Sequence, residues 1–406
     1  MMLAMRGEKP PHERPYPPMQ TPTQRHTEID WLRVIALSLL IGYHAGMPFV
    51  SWGWHISDPN PSTGLELGML FVNQWRLPLL FFISGAVVQA SLRRRTTGAF
   101  AKDRLLRLGL PLVAGMVGLV VPLQIYIERV YKGEFSGSFF DFWPTVFTTG
   151  PYPAGNLSWH HLWYVAYVLV YSLAVVLPLR ALAACVRIPQ GLRRAVCSGP
   201  GIVLVGLLPI ATEWWLRSAW PSTHNLTADW ANHARFLWFS LLGYVLYGDE
   251  RARATIARGR YVWLAATGVL YVLLYREWLS DDDTYPPVVY LVLKHMNAWL
   301  AILALLGLAQ RHLTHRPRLL EWASAGVYPM YILHQTVTLG LAAVLVPLAW
   351  PTPAKWALCL LGTVAITIGL YEVLVRPWRW VRPLFGLKAG TEPEGLLNPG
   401  ASGARA

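Results

Sequence analysis

The sequence predicts an all-α polytopic membrane protein with about ten transmembrane helices and both termini in the cytoplasm. Three observations carry this. Hydrophobic residues make up 54% of the 406-residue chain and charged residues only 14%, against roughly a quarter in soluble globular chains. A water-soluble fold of that composition would lack the polar surface to cover itself. Apolar runs of about 20 residues, the length that crosses a bilayer, recur along the chain. Lysine and arginine alternate between rich and poor loops, which sets orientation. The net charge of +13 is concentrated in those rich loops, so it reads as a topology signal and nucleic acid is not an expected partner.

In chain order, residues 1–27 form a Pro-rich cytoplasmic lead-in expected to be disordered. The membrane unit is expected over 28–388, and a loose cytoplasmic tail over 389–406. Apolar spans are predicted at 30–50, 66–90, 105–127, 162–183, 195–216, 231–247, 261–275, 286–308, 322–346 and 355–375. Pro111, Pro122, Pro209 and Pro329 fall within or beside spans, where neighbouring helices re-satisfy the freed backbone groups. The loop 91–107 carries six Lys/Arg, 180–194 four, 248–260 four, 310–321 three and 376–388 four. Between these, the loop 51–65 carries none and 128–159 two. The poor loops are therefore placed outside, and 128–161 is the largest of them. The run Asp281-Asp282-Asp283 reads as solvated outer surface.

Several chemistries are excluded. Cys185, Cys197 and Cys359 show neither a disulfide framework nor metal-ligand spacing. There is no cleavable signal peptide, P-loop, GxSxG elbow, HExxH or dinucleotide fingerprint. Ionisable residues inside spans are costly and mark function. They are Arg33, His44, Arg76, Lys294, His295, His334 and Glu372. This set is mostly cationic and suits an anionic ligand. The plainer reading pairs Glu372 with Arg376 one turn away and gives the histidines to backbone carbonyls.

Arg33 and His44 are eleven residues apart, about three helical turns, so they share a face about 16 Å apart along the axis. Arg33 lies toward the cytoplasmic end. Small neighbours, Gly42, Ala45 and Gly46, leave room around His44. Arg104 and Arg107 share a face at the mouth of the third span, and arginine forks suit phosphate oxygens. Positive-inside topology explains them equally well. Trp159-His160-His161-Leu162-Trp163-Tyr164 reads either as an aromatic belt or as a sugar-stacking surface. Tyr331 and His334 lie one turn apart near mid-membrane.

Several phrases in this order resemble the membrane acyltransferase family 3: Asp30-Trp31-Leu32-Arg33, Tyr43-His44-Ala45-Gly46, Leu79 to Gly85, Arg104 to Pro111, His161 to Tyr164, Tyr331 to His334 and Arg382 to Lys388. The resemblance covers residues 30–388 and implies an integral membrane O-acyltransferase of the bacterial inner membrane. Such an enzyme moves a succinyl or acetyl group from cytoplasmic acyl-CoA to a hydroxyl of a periplasmic glucan or other saccharide. It implies no bound cofactor; succinyl-CoA or acetyl-CoA is the donor substrate. It places the essential histidine at His44 and the essential arginine at Arg33, and links Arg104 and Arg107 to donor binding. One departure is Tyr167 and Tyr171, where many members carry an acid, which leaves Glu372 as the expected deep carboxylate.

On this reading, His44 is base or acyl carrier, and Arg33 and Arg76 stabilise the thioester oxygen. Lys294 holds the free carboxylate of a succinyl group. His161, Trp163, Tyr331, His334 and Glu372 are expected around the substrates. The rival readings are a transporter or flippase for an anionic or saccharide-linked lipid, and a non-catalytic assembly partner.

Overall fold

The computed structural model describes residues 26–178, 189–280, 282 and 284–390. Nearly all of the predicted lead-in and tail, Cys185, Asp281, Asp283 and the end of the fourth predicted span lie outside the described residues. Among those residues there is no sheet, only an isolated bridge between Pro151 and Leu157.

The elements are α1 (Thr27–Gly46), α2 (Thr63–Asn73), α3 (Arg76–Leu92), α4 (Thr97–Arg104), α5 (Leu110–Val117), α6 (Val120–Tyr131), α7 (Phe139–Phe142) and α8 (Trp163–Val170). Then follow α9 (Gln190–Val196), α10 (Gly199–Val205), α11 (Leu208–Leu216), α12 (Trp230–Leu246), α13 (Glu250–Arg258), α14 (Arg260–Trp278), α15 (Pro287–His312), α16 (Arg318–Leu345) and α17 (Thr352–Leu370). The described residues of each predicted span are mostly helical, with breaks at 74–75 in the second, 118–119 in the third, and 197–198 and 206–207 in the fifth. Among the described residues, six stretches are long and apolar enough to cross a membrane: Thr27–Phe49, Thr63–Leu92, Thr97–Tyr131, Gly199–Leu216, Pro287–His312 and Thr352–Val375. A shorter apolar helix covers His160–Val176.

Local chemistry sets the breaks. The Ser62 side chain accepts from the Leu65 backbone N–H to start α2, and Thr96 does the same for α4 through Ala99. A π-helical turn, Leu105–Gly109, joins α4 to α5 just ahead of Pro111. Proline has no N–H and its ring crowds the carbonyl four residues back. Widening the helix at that turn relieves the crowding.

Helix α1 lies against α16, α17, α3 and α15, and α16 also packs on α6. Helices α3 and α12 approach closely through reciprocal glycines. A Cβ on Gly85 would stand 1.8 Å from the Ser240 carbonyl oxygen, and one on Gly243 would stand 1.9 Å from that of Phe82. Neither contact survives a side chain, so the α3–α12 crossing is built on these two positions, much as small residues allow close helix packing in membranes generally.

Candidate active site

Two cavities meet inside the bundle. The first, of about 500 Å³, is lined by five arginines, Arg33, Arg95, Arg104, Arg107 and Arg316, against two carboxylates, Asp103 and Glu321. The carboxylates are engaged. Asp103 takes Arg95 at 3.0 Å and Arg107 at 3.2 Å, and Glu321 takes Arg316 at 2.9 Å. Arg104 makes no ion pair among the described residues, and its Nε has no hydrogen-bond partner. Its guanidinium lies over the Phe100 ring at 5.0 Å. A site with this surplus of arginine forks is built for phosphate or another polyanion.

The segment after α17 closes one wall of this cavity, where Gly386 and Leu387 line it. Gly386 has φ +74°, and a Cβ there would meet Tyr328 at 2.4 Å and the Arg107 carbonyl at 2.8 Å. Only glycine combines that backbone with that proximity.

The second cavity, of about 550 Å³, is lined by His44, His55, His160, His161 and His224 together with Arg76 and the rings of Trp54, Tyr152, Trp159, Trp163 and Tyr331. The stripe Arg33, Leu37, Leu40, His44 runs down one face of α1. Its first half lines the basic cavity and its second half the histidine cavity. Tyr164 lines both. Its hydroxyl donates to the Leu80 carbonyl at 3.2 Å, and its ring meets Tyr331 at 6.2 Å. The two spaces thus meet at Tyr164.

The proton positions at His44 follow from its partners. His334, fully buried behind it, places Nδ1 2.5 Å from the Tyr331 carbonyl oxygen and Nε2 2.7 Å from His44 Nδ1. A carbonyl only accepts, so His334 Nδ1 carries the proton and its Nε2 is left with a lone pair. His44 Nδ1–H therefore donates to His334, and His44 Nε2 is bare. The chain carbonyl–His334–His44 fixes the tautomer that a base or nucleophile needs. His161 follows the same logic: Nε2–H donates to the Ile332 carbonyl at 3.1 Å.

Arg76 begins α3 at the break after α2 and is 2% exposed. Its Nε and Nη1 have no hydrogen-bond partner, and no carboxylate pairs with it among the described residues. The guanidinium lies over the Tyr43 ring at 3.8 Å. A desolvated cation–π contact returns about 2 kcal/mol. Each unsatisfied buried donor costs roughly 1–3 kcal/mol and a buried unpaired charge more, so the ring does not cover the cost. The cavity keeps a cation that awaits negative charge.

The stacking surface is real in geometry. Trp163 and His224 stack at 4.3 Å, and burial holds His224 below the ordinary imidazole range, so it serves as a flat neutral partner.

His44, Arg76, His161, Trp163 and Tyr331 line the histidine cavity, with His334 behind them. Arg33, Arg104 and Arg107 line the basic cavity. Arg33 is bonded there to Asp30 and the Ser324 carbonyl, whereas Arg76 lines the same cavity as His44. Lys294 and Glu372 reach neither cavity. Lys294 sits 3.8 Å from Glu213 in a group with Arg217, because its face of α15 turns toward α11. Glu372, on the π-helical turn Tyr371–Val375, accepts from the Trp322 indole and from Arg376. It is not the deep carboxylate. Glu128 at 1% exposed and Asp229 at 0% are deeper. His55, Glu128 and Tyr152 were not singled out in the sequence, whereas Tyr164 was, within the run from Trp159 to Tyr164.

The acyltransferase domain of the acyltransferase 3 family matches residues 26–372. The chain belongs to this family. Its described residues include several helices long and apolar enough to cross a membrane. The chain is 27% identical over 154 residues to glucans biosynthesis protein C of Escherichia coli strains SMS-3-5 and 536, a stretch covering 37% of this chain. The protein of the O1:K1 strain aligns equally. The chain thus matches 38% of the length of these curated relatives. No solved structure matches it.

Proposed function

We propose that this acyltransferase takes a succinyl or acetyl group from cytoplasmic acyl-CoA and delivers it to a hydroxyl of a periplasmic glucan or related saccharide, across the bacterial inner membrane. The observation that supports this most is the pair of cavities sharing Tyr164, one rich in arginine and the other in histidine and flat rings. Polyanionic CoA suits the first; a sugar stacked on Trp163 and its neighbours suits the second. The linear pantetheine arm passes along the Arg33–His44 face of α1. His44 Nε2 then takes the hydroxyl proton or carries the acyl group, and Arg76 faces the oxygen that gains charge.

The experiment is direct: purified protein in detergent, with succinyl-CoA or acetyl-CoA and a β-glucan oligosaccharide. Acyl ester on the oligosaccharide, matched by free CoA, is the expected result. Intact thioester with transbilayer movement of a lipid-linked sugar is the result that favours a flippase.

The reading includes ten crossings with both ends cytoplasmic. A reporter fused at Pro59 is expected to be active only in the periplasm; cytoplasmic activity reverses the assignment of both cavities. Arg104→Ala and Arg107→Ala are expected to weaken donor binding. One lost charge-assisted contact is worth about 1.5–3 kcal/mol, or roughly ten- to a hundred-fold in Kd. Arg104→Lys recovers part of it, since lysine lacks the fork. Donor Kd measured by calorimetry on the double variant decides this, and an unchanged value leaves the arginines as topology markers.

A further inference from the structure

The histidine cavity holds a second oriented imidazole that the mechanism above does not use. His55, in the loop between α1 and α2, places Nδ1 2.7 Å from Glu128 Oε2 at the end of α6. The Glu128 side chain is 2% exposed and His55's is 14%. Glu128 also takes Lys132 Nζ at 2.6 Å and the Tyr152 hydroxyl at 3.0 Å, so the carboxylate is held from three sides. A carboxylate only accepts, so His55 Nδ1 carries the proton toward Glu128, and Nε2 is the ring nitrogen that the carboxylate leaves unengaged.

His55 lines the cavity and Glu128 does not. The ring is further held by stacking on His160, 4.6 Å between centroids and 21° between planes. His160 itself sits at φ +41°, a left-handed conformation that costs energy outside glycine. Its Nδ1 is fixed by Gln124 at 3.2 Å, and its Nε2 has no partner. The bond to Glu128 ties the α1–α2 loop to the end of α6, and it does so through an imidazole on the cavity wall with one nitrogen held by a buried carboxylate.

We infer that His55, oriented by Glu128, is the base that takes the proton from the acceptor hydroxyl, which leaves His44 as the acyl carrier. This rests on the acyl transfer reading above. The step balances in two halves. His44 Nε2 attacks the thioester carbonyl carbon, the C–S bond breaks, and CoA leaves as thiolate and takes a proton from water on its side. The Nδ1 proton of the acylated ring passes to His334 Nε2. The acceptor oxygen then attacks the same carbonyl carbon while His55 Nε2 takes the hydroxyl proton. The C–N bond breaks, and His44 leaves with its electron pair and recovers its proton from His334. The proton on His55 goes to cavity water. The sum is thioester plus alcohol to ester plus thiol. Glu128 is a positioning residue, stabilising the imidazolium as a carboxylate does behind other catalytic histidines.

The test separates the halves. Full-length protein in detergent is mixed with acetyl-CoA, first without and then with a β-glucan oligosaccharide. His55→Gln is expected to release CoA in the first turnover like the parent while transfer falls about 10²–10⁴-fold. Glu128→Gln loses transfer by roughly 10–100-fold. Lys132→Met, which removes another Glu128 partner, stays within about threefold of the parent. Imidazole added to His55→Ala restores transfer by at least about tenfold, which a merely structural role does not permit. Wild-type transfer by His55→Gln overturns the inference, as does equal loss of both halves without imidazole rescue. If His44→Gln still releases CoA while His55→Gln loses transfer, the carrier role of His44 fails and the base role of His55 stands.

Discussion

His44→Gln leaves a folded, inserted protein whose glycan acylation is down by at least about 10²–10⁴-fold, the range for loss of a general base; loss of an acyl carrier removes it entirely. The substitution keeps bulk and one hydrogen-bond donor toward His334, 2.7 Å away, but has no basic nitrogen. His44 is half-buried and lines the cavity, so a side chain of similar size there borders open space. Expression and detergent melting should match the parent. Near-normal acylation by a well-folded His44→Gln protein removes the catalytic assignment. His334→Ala makes the complementary case: it deletes the acceptor that holds His44 Nδ1–H, so acylation falls with donor affinity unchanged. Acylation assays alongside calorimetric donor binding separate the two effects.

Arg76→Met is expected to slow acylation by roughly 10²–10³-fold, the usual effect of removing a donor aimed at a developing oxyanion, while raising thermal stability. The two signs come from one fact. The guanidinium is 2% exposed with two unpartnered nitrogens, and replacing an uncompensated buried charge by an apolar chain of similar length is neutral or stabilising. Donor affinity should hold, because Arg33, Arg104 and Arg107 line the other cavity. Arg76→Lys keeps charge but not the fork, and is expected to recover only part of the rate. A fall in melting temperature with unchanged acylation would make Arg76 a packing residue braced on Tyr43.

The architecture was legible where it depends on composition and on spacing within one helix. Low charge and recurrent apolar runs predicted a helical membrane protein, and the described residues form helices with no sheet. Among the described residues, six stretches meet the length and apolarity needed to cross. Helix α16, predicted as a span at 322–346, is not among them; it carries His334, Gln335, Thr336 and Thr338 in its middle. The shared face of Arg33 and His44 followed from 3.6 residues per turn, and the adjacency of Arg104 and Arg107 from a three-residue spacing.

The sequence by itself therefore determined the class of the protein, the face of α1 that carries Arg33 and His44, and the arginine pair at the mouth of the third span. Each is a local property of one helix or of bulk composition. Tertiary structure alone decided what those residues meet. It set His334 behind His44 from 290 positions away and Glu128 behind His55 from 73 away. It turned Lys294 toward Glu213 and divided the interior into two cavities at Tyr164. Those outcomes depend on how far each helix is rotated about its axis and how closely it crosses its neighbours. Contacts such as the reciprocal glycines of α3 and α12 set both, and no periodicity within one helix encodes them.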